Sequence, residues 1–169
     1  MRVFLQSLSS QYRSVKTKSR DEYLAQNIDW LFKTCGGRKI ILSADNTHVT
    51  KASGKMGSFL SDWYGTKYLV FGFTFNNGSY SAYGPEKYYE VHPSYMGTYE
   101  YFFSKSKFKN YLLDIRTINN IPMLNTTAGF RSIGSQPQET TQFTEISLKR
   151  HFDVIAYIEN SVHTTSLIK

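Results

Sequence analysis

The stretch KIILSADNTH, residues 39–48, decides the fold class. Its first six residues form a short apolar run that ends at Ala44, and the next four residues are polar. This pattern is typical of a buried parallel strand, which is covered on both faces and presents polar groups at its carboxyl end. The stretch therefore predicts an α/β protein in which Asp45, Asn46 and His48 lie at a functional edge of the sheet.

The residues on either side of this stretch predict helices. Ser19 and Glu22 have the spacing of a capping box, and the double glycine at 36–37 ends the pattern, so a helix is predicted over 19–35. Its apolar residues recur at helical spacing, at Leu24, Ile28, Leu31 and Cys35. A second helix, closed by Gly65, is predicted for the residues around Met56, Phe59, Leu60 and Trp63.

Strands are predicted for the rest of the chain at 67–75, 79–83, 111–115 and 152–158. Asn77-Gly78 is a turn signal that would fold 79–83 back as the second arm of a hairpin. This order of elements predicts a single domain over 1–169, a three-layer α/β/α sandwich with a mixed, mostly parallel sheet. Four or five strands are few for a sheet covered on both faces, so we expect the sheet to be incomplete.

Composition narrows the class of protein. The 169 residues are 40% hydrophobic and 16% aromatic, enough for a globular core. No apolar run is long enough for a membrane span or signal peptide, so a cytoplasmic location is expected. The net charge of +7 is poorly clustered and does not favour nucleic acid. Cys35, the single cysteine, excludes an internal disulfide and is expected to be buried.

The motifs of several enzyme classes are absent from the sequence. It has no phosphate-binding glycine loop, no G-x-S-x-G nucleophile elbow and no H-E-x-x-H zinc site. His48 is the remaining candidate for acid–base chemistry, with Asp45 three residues earlier to orient the ring. The alternative is a turn in which Asp45 and Asn46 bond their own backbone and His48 caps the next helix.

Two further residues are candidates for substrate binding. Tyr80 begins a segment, 80–103, with nine aromatic residues that could line a cleft for a bulky, partly apolar ligand. Arg131 could bind a carboxylate or a developing oxyanion. Ordinary core packing of the aromatic residues and a structural salt bridge of Arg131 are the alternatives.

Six blocks of sequence, in the same order, resemble the erythromycin esterase family. The blocks are 20–28, 41–49, 56–60, 68–75 with 78–80, 130–134 and 152–158. The resemblance implies an α/β/α sandwich and an enzyme that hydrolyses an ester such as the macrolactone of erythromycin, a reaction linked to macrolide resistance. It also implies that histidine and glutamate activate water, with no serine nucleophile, no cofactor and no metal. His48 matches the second histidine of the family's H-N-x-H block.

The chain departs from the family pattern in two ways. Asp45 stands where the family has the first histidine of H-N-x-H, which changes the charge of the site. The glycine-glutamate block and the histidine base of the family's N-terminal half have no counterpart here. We therefore expect the C-terminal part of such a hydrolase, which acts on a small-molecule ester only with the missing part or another copy of the chain. A non-catalytic remnant that binds a ligand or partner is the alternative.

Overall fold

A computed structural model describes residues 18–135, 137 and 142–165. The chain divides into two compact units, one that ends at Val70 and one that begins at Phe71. The sequence predicted a single domain over 1–169, and that prediction remains open. No helix among the described residues is both long enough and apolar enough to cross a membrane.

The first unit is helical. Its helices are α1 (Arg20–Thr34), α2 (Asn46–Val49) and α3 (Met56–Tyr64), followed by a 3-10 turn at Gly65–Lys67. The two longer helices match the prediction. Ser19 accepts the Glu22 amide at 3.1 Å, as in a capping box, and Gly65 closes α3 with a φ of 55°. Cys35 caps the end of α1 and is exposed, so its predicted burial is wrong.

The predicted strand 39–44 is not a strand. No residue that the structure describes pairs with it in a sheet, and the side chain of Ile41 is 97% exposed. The segment is apolar, as the prediction assumed, but an apolar run forms a strand only when a neighbour accepts and donates its backbone hydrogen bonds. The stretch that decided the predicted fold class therefore lies outside the sheet.

The described residues of the second unit form six strands: β1 (Phe71–Tyr80), β2 (Tyr89–Glu90), β3 (Asn110–Asp114), β4 (Thr127–Arg131), β5 (Phe143–Ser147) and β6 (Val154–Ser161). Its helices are α4 (Tyr99–Phe103) and α5 (Leu148–His151), with a 3-10 turn at Pro122–Asn125. The larger sheet has the order β2-β1-β6-β3, and β4 pairs with β5 in a smaller sheet.

The mixed α/β class that we predicted is confirmed. In the larger sheet β1 and β6 are parallel, whereas β2 and β3 are antiparallel to their neighbours. The parallel share among the described strands is smaller than expected, because the predicted parallel strand 39–44 is not part of this sheet.

One face of the larger sheet forms the core of the second unit. Thr74 on β1 and Tyr157 on β6 lie on this face, and α4 covers them with Glu100 and Phe103. The opposite face is apolar but open. Its exposed residues include Phe71, Phe73, Leu112 and Ile158.

The hairpin turn predicted at Asn77-Gly78 is wrong. β1 continues through both residues to Tyr80, and its end pairs with β2 instead. Gly78 has a φ of 109°, and a Cβ there would lie 1.9 Å from the Ser161 carbonyl oxygen. Gly78 therefore permits the close approach of β1 and β6, which is a common reason for a glycine inside a strand.

Candidate functional site

A short helix presents His48. Asp45 is the N-cap of α2, and its Oδ1 accepts the Thr47 amide at 2.8 Å and the Thr47 hydroxyl at 2.7 Å. Aspartate is favoured here because it satisfies a helix N–H that has no partner within the helix. The cap fixes the start of a four-residue helix and so the direction of His48.

The carboxylate that contacts His48 comes from α1. Nδ1 of the imidazole lies 2.8 Å from Oδ1 of Asp21, which stands 27 positions earlier in the chain. A carboxylate ion only accepts hydrogen bonds, so in a neutral ring this contact favours the tautomer with the proton on Nδ1 and the lone pair on Nε2. His48 is partly exposed, so Nε2 is the ring atom available for proton transfer.

Asp21 is itself held in place. It lies in the first turn of α1, two residues after the Ser19 cap, and only 8% of its surface is exposed. Its second oxygen, Oδ2, accepts the backbone N–H of Met56 at 3.3 Å. The carboxylate thus joins the starts of α1 and α3 to the ring on α2. Its negative charge at two helix N-termini is also favourable, because unpaired N–H groups give those ends a partial positive charge.

A glycine allows the helices to meet at this point. A Cβ on Gly57 would lie 2.0 Å from the carbonyl oxygen of Val49 and 2.4 Å from that of Thr50, so no larger residue fits without a shift of backbone. Tyr68 adds a hydrogen bond from its hydroxyl to the Val49 carbonyl at 2.7 Å. Both contacts fix the end of α2 and with it the position of the ring.

The sequence pattern found one member of this pair and missed the other. Asp21 lies in the 20–28 block that resembles the family, and this resemblance was the only sequence signal that could have marked it as a candidate. No spacing rule links His48 to a residue 27 positions earlier. Asp45, the partner we predicted, accepts hydrogen bonds from Thr47, and its catalytic role stays a prediction. Asn46 is half-buried at the first position of α2, and its role in substrate binding is likewise untested.

Arg131 lies in the second unit, and its guanidinium is taken up by structural contacts. The residue is 4% exposed, and Nε and Nη2 donate to carbonyl oxygens of three residues, Phe75, Asn76 and His92, at 2.8–3.1 Å. Nη1 donates to Oε1 of Gln142 at 3.0 Å. These bonds connect β1 to the loop after β2. They give Arg131 a structural role, which was the alternative to substrate binding, but the partners are carbonyl oxygens and a side-chain amide and not the carboxylate of a salt bridge.

A buried carboxyl lies beside this arginine. Oε1 of Glu100 accepts the Thr74 hydroxyl at 2.5 Å and the Arg131 amide at 2.9 Å. Oε2 is buried without a hydrogen-bond partner among the described residues. Burial raises the pKa of Glu100, and the hydrogen bonds from Thr74 and Arg131 only partly oppose that rise.

Tyr80 ends β1 and is buried. Its ring packs against Tyr89 on the neighbouring strand, with ring centroids 5.8 Å apart. This is the core packing that was the alternative to a cleft, and its predicted role in substrate binding is not tested. Within the part of the chain that the structure describes, no three His, Cys, Asp or Glu side chains are grouped to hold a metal ion.

Comparison with known proteins places the chain in a family. The model of the family described as erythromycin esterase matches residues 3–161. No curated protein matches the chain. Among solved structures, a succinoglycan biosynthesis protein is 26% identical with a TM-score of 0.74, and a Bacillus cereus protein is 21% identical with a TM-score of 0.75. Each match covers 86% of this chain and 38% of the other, so the chain spans well under half of either neighbour. The family match covers nearly the whole sequence, and the chain therefore belongs to the erythromycin esterase family.

Proposed function

We propose that this chain is part of a carboxylic ester hydrolase in which His48 moves the proton and Asp21 positions the ring. The observation that carries the proposal is the 2.8 Å contact between Nδ1 of His48 and Oδ1 of Asp21. The contact joins two of the blocks that resemble the family, 20–28 and 41–49, and His48 lies in the second of them. Membership of the erythromycin esterase family supports hydrolysis as the type of reaction.

The geometry suits general base catalysis by Nε2. A water molecule attacks the ester carbonyl carbon, and Nε2 accepts the proton that the water loses. The tetrahedral intermediate then collapses, the bond to the alcohol oxygen breaks, and the imidazolium returns the proton to that oxygen. Asp21 keeps Nδ1 protonated throughout and stabilises the positive ring, as the aspartate of a serine protease triad does.

The proposed site needs groups beyond this pair. A developing oxyanion requires hydrogen-bond donors or a positive charge directed at it. The resemblance to the family implies a second acid–base residue in the N-terminal half of its members. We propose that the polypeptide equivalent to that half supplies these groups, with a small-molecule ester as substrate. The short match to both structural neighbours supports this reading, because most of each neighbour lies outside it.

The experiment compares ester hydrolysis by the chain alone with hydrolysis in the presence of a complementary polypeptide. The complement is the part of the succinoglycan biosynthesis protein that lies outside the match. The substrates are erythromycin and a panel of simple esters. We expect hydrolysis only in the mixture, with His48→Ala lowering kcat/KM by roughly 10²–10⁴-fold.

Asp21 has a matched control on the same helix. Asp29 is also a carboxylate of α1, but it bonds Lys33 and Tyr64. Asp21→Asn is expected to lower kcat by on the order of 100-fold with little change in KM, whereas Asp29→Asn leaves both constants unchanged. Nitrogen chemical shifts of the His48 ring should show the Nδ1–H form in the wild type and a mixture of tautomers in Asp21→Asn. Hydrolysis that survives His48→Ala would rule out the proposed role.

A non-catalytic binding protein is the second candidate. The observation that favours it is the group of exposed aromatic and apolar side chains in and beside the loop after β1, which includes Tyr83, Tyr88, Tyr95 and Met96. Such side chains suit a bulky, partly apolar ligand. Absence of hydrolysis in the mixture, together with saturable binding of erythromycin to the chain alone, would favour this candidate over the enzyme.

A further inference from the structure

The turn after α4 carries a cluster of lysine and phenylalanine side chains. Five exposed residues form this cluster, which we call the basic patch: Phe102, Lys105, Lys107, Phe108 and Lys109. Phe102 belongs to α4, and the other four residues lie between that helix and β3. Phe108 is 58% exposed. The patch therefore places apolar rings and positive charges side by side at the surface of the second unit.

Little negative charge lies close to this patch. Within residues 91–113 the only acidic residue of the sequence is Glu100, which is fully buried. Lys109 lies 3.9 Å from a carboxylate oxygen of Glu159, and the lysine side chain is 66% exposed. The other two lysines of the patch form no ion pair with a carboxylate among the described residues. A long, exposed ion pair contributes little, so all three positive charges are available to a negatively charged partner.

Two of the lysines lie over aromatic rings. Nζ of Lys105 is 4.0 Å from the centre of the Tyr101 ring, and Nζ of Lys107 is 5.0 Å from the centre of the Phe108 ring. Both distances are within the range of about 6 Å over which a ring attracts an ammonium group. The two pairs keep the charges and the apolar rings together within one short turn of the chain.

Hydrogen bonds hold this turn in a defined conformation. The backbone N–H of Ser106 donates to the carbonyl oxygen of Phe103 at 3.1 Å, and Oγ of Ser106 accepts the N–H of Phe108 at 3.2 Å. The Tyr111 hydroxyl donates to the same Phe103 carbonyl at 3.1 Å, and the Phe103 side chain is buried. Because the turn is already ordered, binding through it loses little conformational entropy.

We propose that the basic patch binds the anionic surface of a lipid bilayer, with its lysines near the lipid phosphates and the Phe108 ring in the headgroup region. Lysines are attracted to an anionic leaflet, and an apolar ring beside them leaves water at the boundary with the acyl chains. Surface binding of this kind needs no membrane-spanning helix. The inference is independent of the proposed function, because the patch belongs to the second unit and His48 to the first.

The arrangement of the rings favours a lipid surface over a nucleic acid. Proteins that bind single strands offer aromatic rings with open faces, on which bases stack. Here ammonium groups lie over the rings of Tyr101 and Phe108. The patch also contains no arginine, the side chain best suited to bidentate phosphate and base contacts. A bilayer surface requires only that the ring leaves water while the charged ends of the lysines stay at the phosphates.

Co-sedimentation of the full chain with lipid vesicles tests the proposal. We expect binding to vesicles of equal parts phosphatidylcholine and phosphatidylglycerol, and no binding to vesicles of phosphatidylcholine alone. Salt at about 1 M, which screens charges beyond about 3 Å, should release most of the bound protein. Absence of binding to the anionic vesicles, or equal binding to both kinds of vesicle, would overturn the inference.

The lysines have a control that is matched in net charge. Lys105→Ala combined with Lys107→Ala should weaken binding by roughly thirtyfold, about fivefold for each lysine. Lys55→Ala combined with Lys67→Ala removes two exposed lysines from the first unit and should bind like the wild type. Equal weakening by the two double variants would mean that net charge alone drives binding, which contradicts a defined patch.

The phenylalanine has a control that is matched in exposure. Phe108→Ala should weaken binding by roughly tenfold, because an apolar ring no longer leaves water at the interface. Phe73 on β1 is 61% exposed, and Phe73→Ala should bind like the wild type. All variants should keep the urea midpoint of the unmodified chain. If the two phenylalanine variants bind equally well, the proposed contact of Phe108 is wrong. Binding of an oligothymidylate without binding to anionic vesicles would assign the patch to nucleic acid and reject the lipid surface.

Discussion

Two apolar runs of this chain lie in opposite environments. The run at 154–157 forms the buried half of β6, between β1 and β3, and Ile155 in it is fully buried. The run at 39–44 has almost the same hydrophobic character, yet it pairs with no described strand and Ile41 is almost fully exposed. Hydrophobic composition alone therefore does not make a strand; a strand also needs neighbours that complete its hydrogen bonds and cover its faces.

The difference also separates two kinds of contribution to stability. Apolar side chains stabilise the folded chain only to the extent that folding removes them from water, at about 25 cal/mol per Å². Residues of β6 make that contribution within the chain itself. Residues of 39–44, all exposed except Leu42, make little of that contribution. Mutations in the two runs should consequently differ in size and in what they affect.

The largest effect is expected for Ile155→Ala. The side chain is fully buried and packs on Gly72, so its loss leaves a cavity as well as the lost transfer free energy. We expect a fall in the free energy of unfolding of about 2–5 kcal/mol, measured by urea denaturation. Ile158→Ala on the same strand is the control, because Ile158 faces the open side of the sheet. Equal losses for both variants would show that the open face is covered in solution.

The second-largest effect on stability is expected at Glu100, which lies over the covered face of the larger sheet, and this effect depends on pH. Burial raises the pKa of Glu100, so the folded chain favours the neutral carboxyl, while the unfolded chain ionises near the ordinary value of 4.5. The stability that this neutral group contributes is complete below the unfolded pKa and is lost as the pH rises through the folded pKa. Glu100→Gln cannot ionise and still offers an oxygen to Thr74 and Arg131. It should therefore become more stable than the wild type as the pH is raised.

Urea denaturation at pH 4 and pH 8 measures this effect. The stability difference between Glu100→Gln and the wild type should be small at pH 4 and clearly in favour of the variant at pH 8. Glu86→Gln, a change at an exposed carboxylate, should show no such trend. Parallel pH dependence of the wild type and Glu100→Gln would contradict the prediction.

A smaller effect is expected in the first unit. Ser19→Ala removes the hydroxyl that caps α1 and accepts the Glu22 amide, a loss of about 1 kcal/mol. Thr34→Ala, at the other end of the helix, removes only a hydroxyl that bonds back to the Trp30 carbonyl and should cost less. Helical circular dichroism during urea denaturation compares the two. If Ser19→Ala has no effect, α1 does not unfold together with the transition being measured.

The smallest effect is expected for Ile41→Ala in the chain alone. An almost fully exposed side chain has little to lose, so the free energy of unfolding should stay within about 0.5 kcal/mol of the wild type. This result would complete the contrast with Ile155→Ala, its counterpart in β6. A loss of 2 kcal/mol or more, as for a core residue, would mean that Ile41 is buried by residues of this same chain.

Helices were the most predictable part of the fold. The signals for α1 and α3 are local, because a capping serine, apolar residues at helical spacing and a terminal glycine all lie within one helix. Strand pairing is not local. Gly78 shows this, since the same Asn-Gly pair that marks a turn in a hairpin here allows contact with Ser161, a residue 83 positions later.

The candidate site likewise has residues that local sequence signals identify and residues that they do not. His48 could be identified as a candidate from the polar residues that follow an apolar run, and a hydrogen bond between Asp45 and nearby backbone belonged to the alternative interpretation. Its partner Asp21 could not, because the contact joins the first turn of one helix to another helix across 27 positions. Arg131 was noticed for its charge, and only the structure shows that backbone carbonyls occupy its guanidinium.

The sequence by itself determined the two longer helices of the first unit, the family, the α/β class and His48 as a candidate residue, because these depend on local spacing and on blocks of residues in order. The tertiary structure alone decided which apolar run became a strand, which carboxylate orients the imidazole and which face of the sheet is covered. Each of these depends on residues far apart in the chain, whose proximity is set by packing and hydrogen bonding in three dimensions. Local sequence patterns do not identify those neighbours.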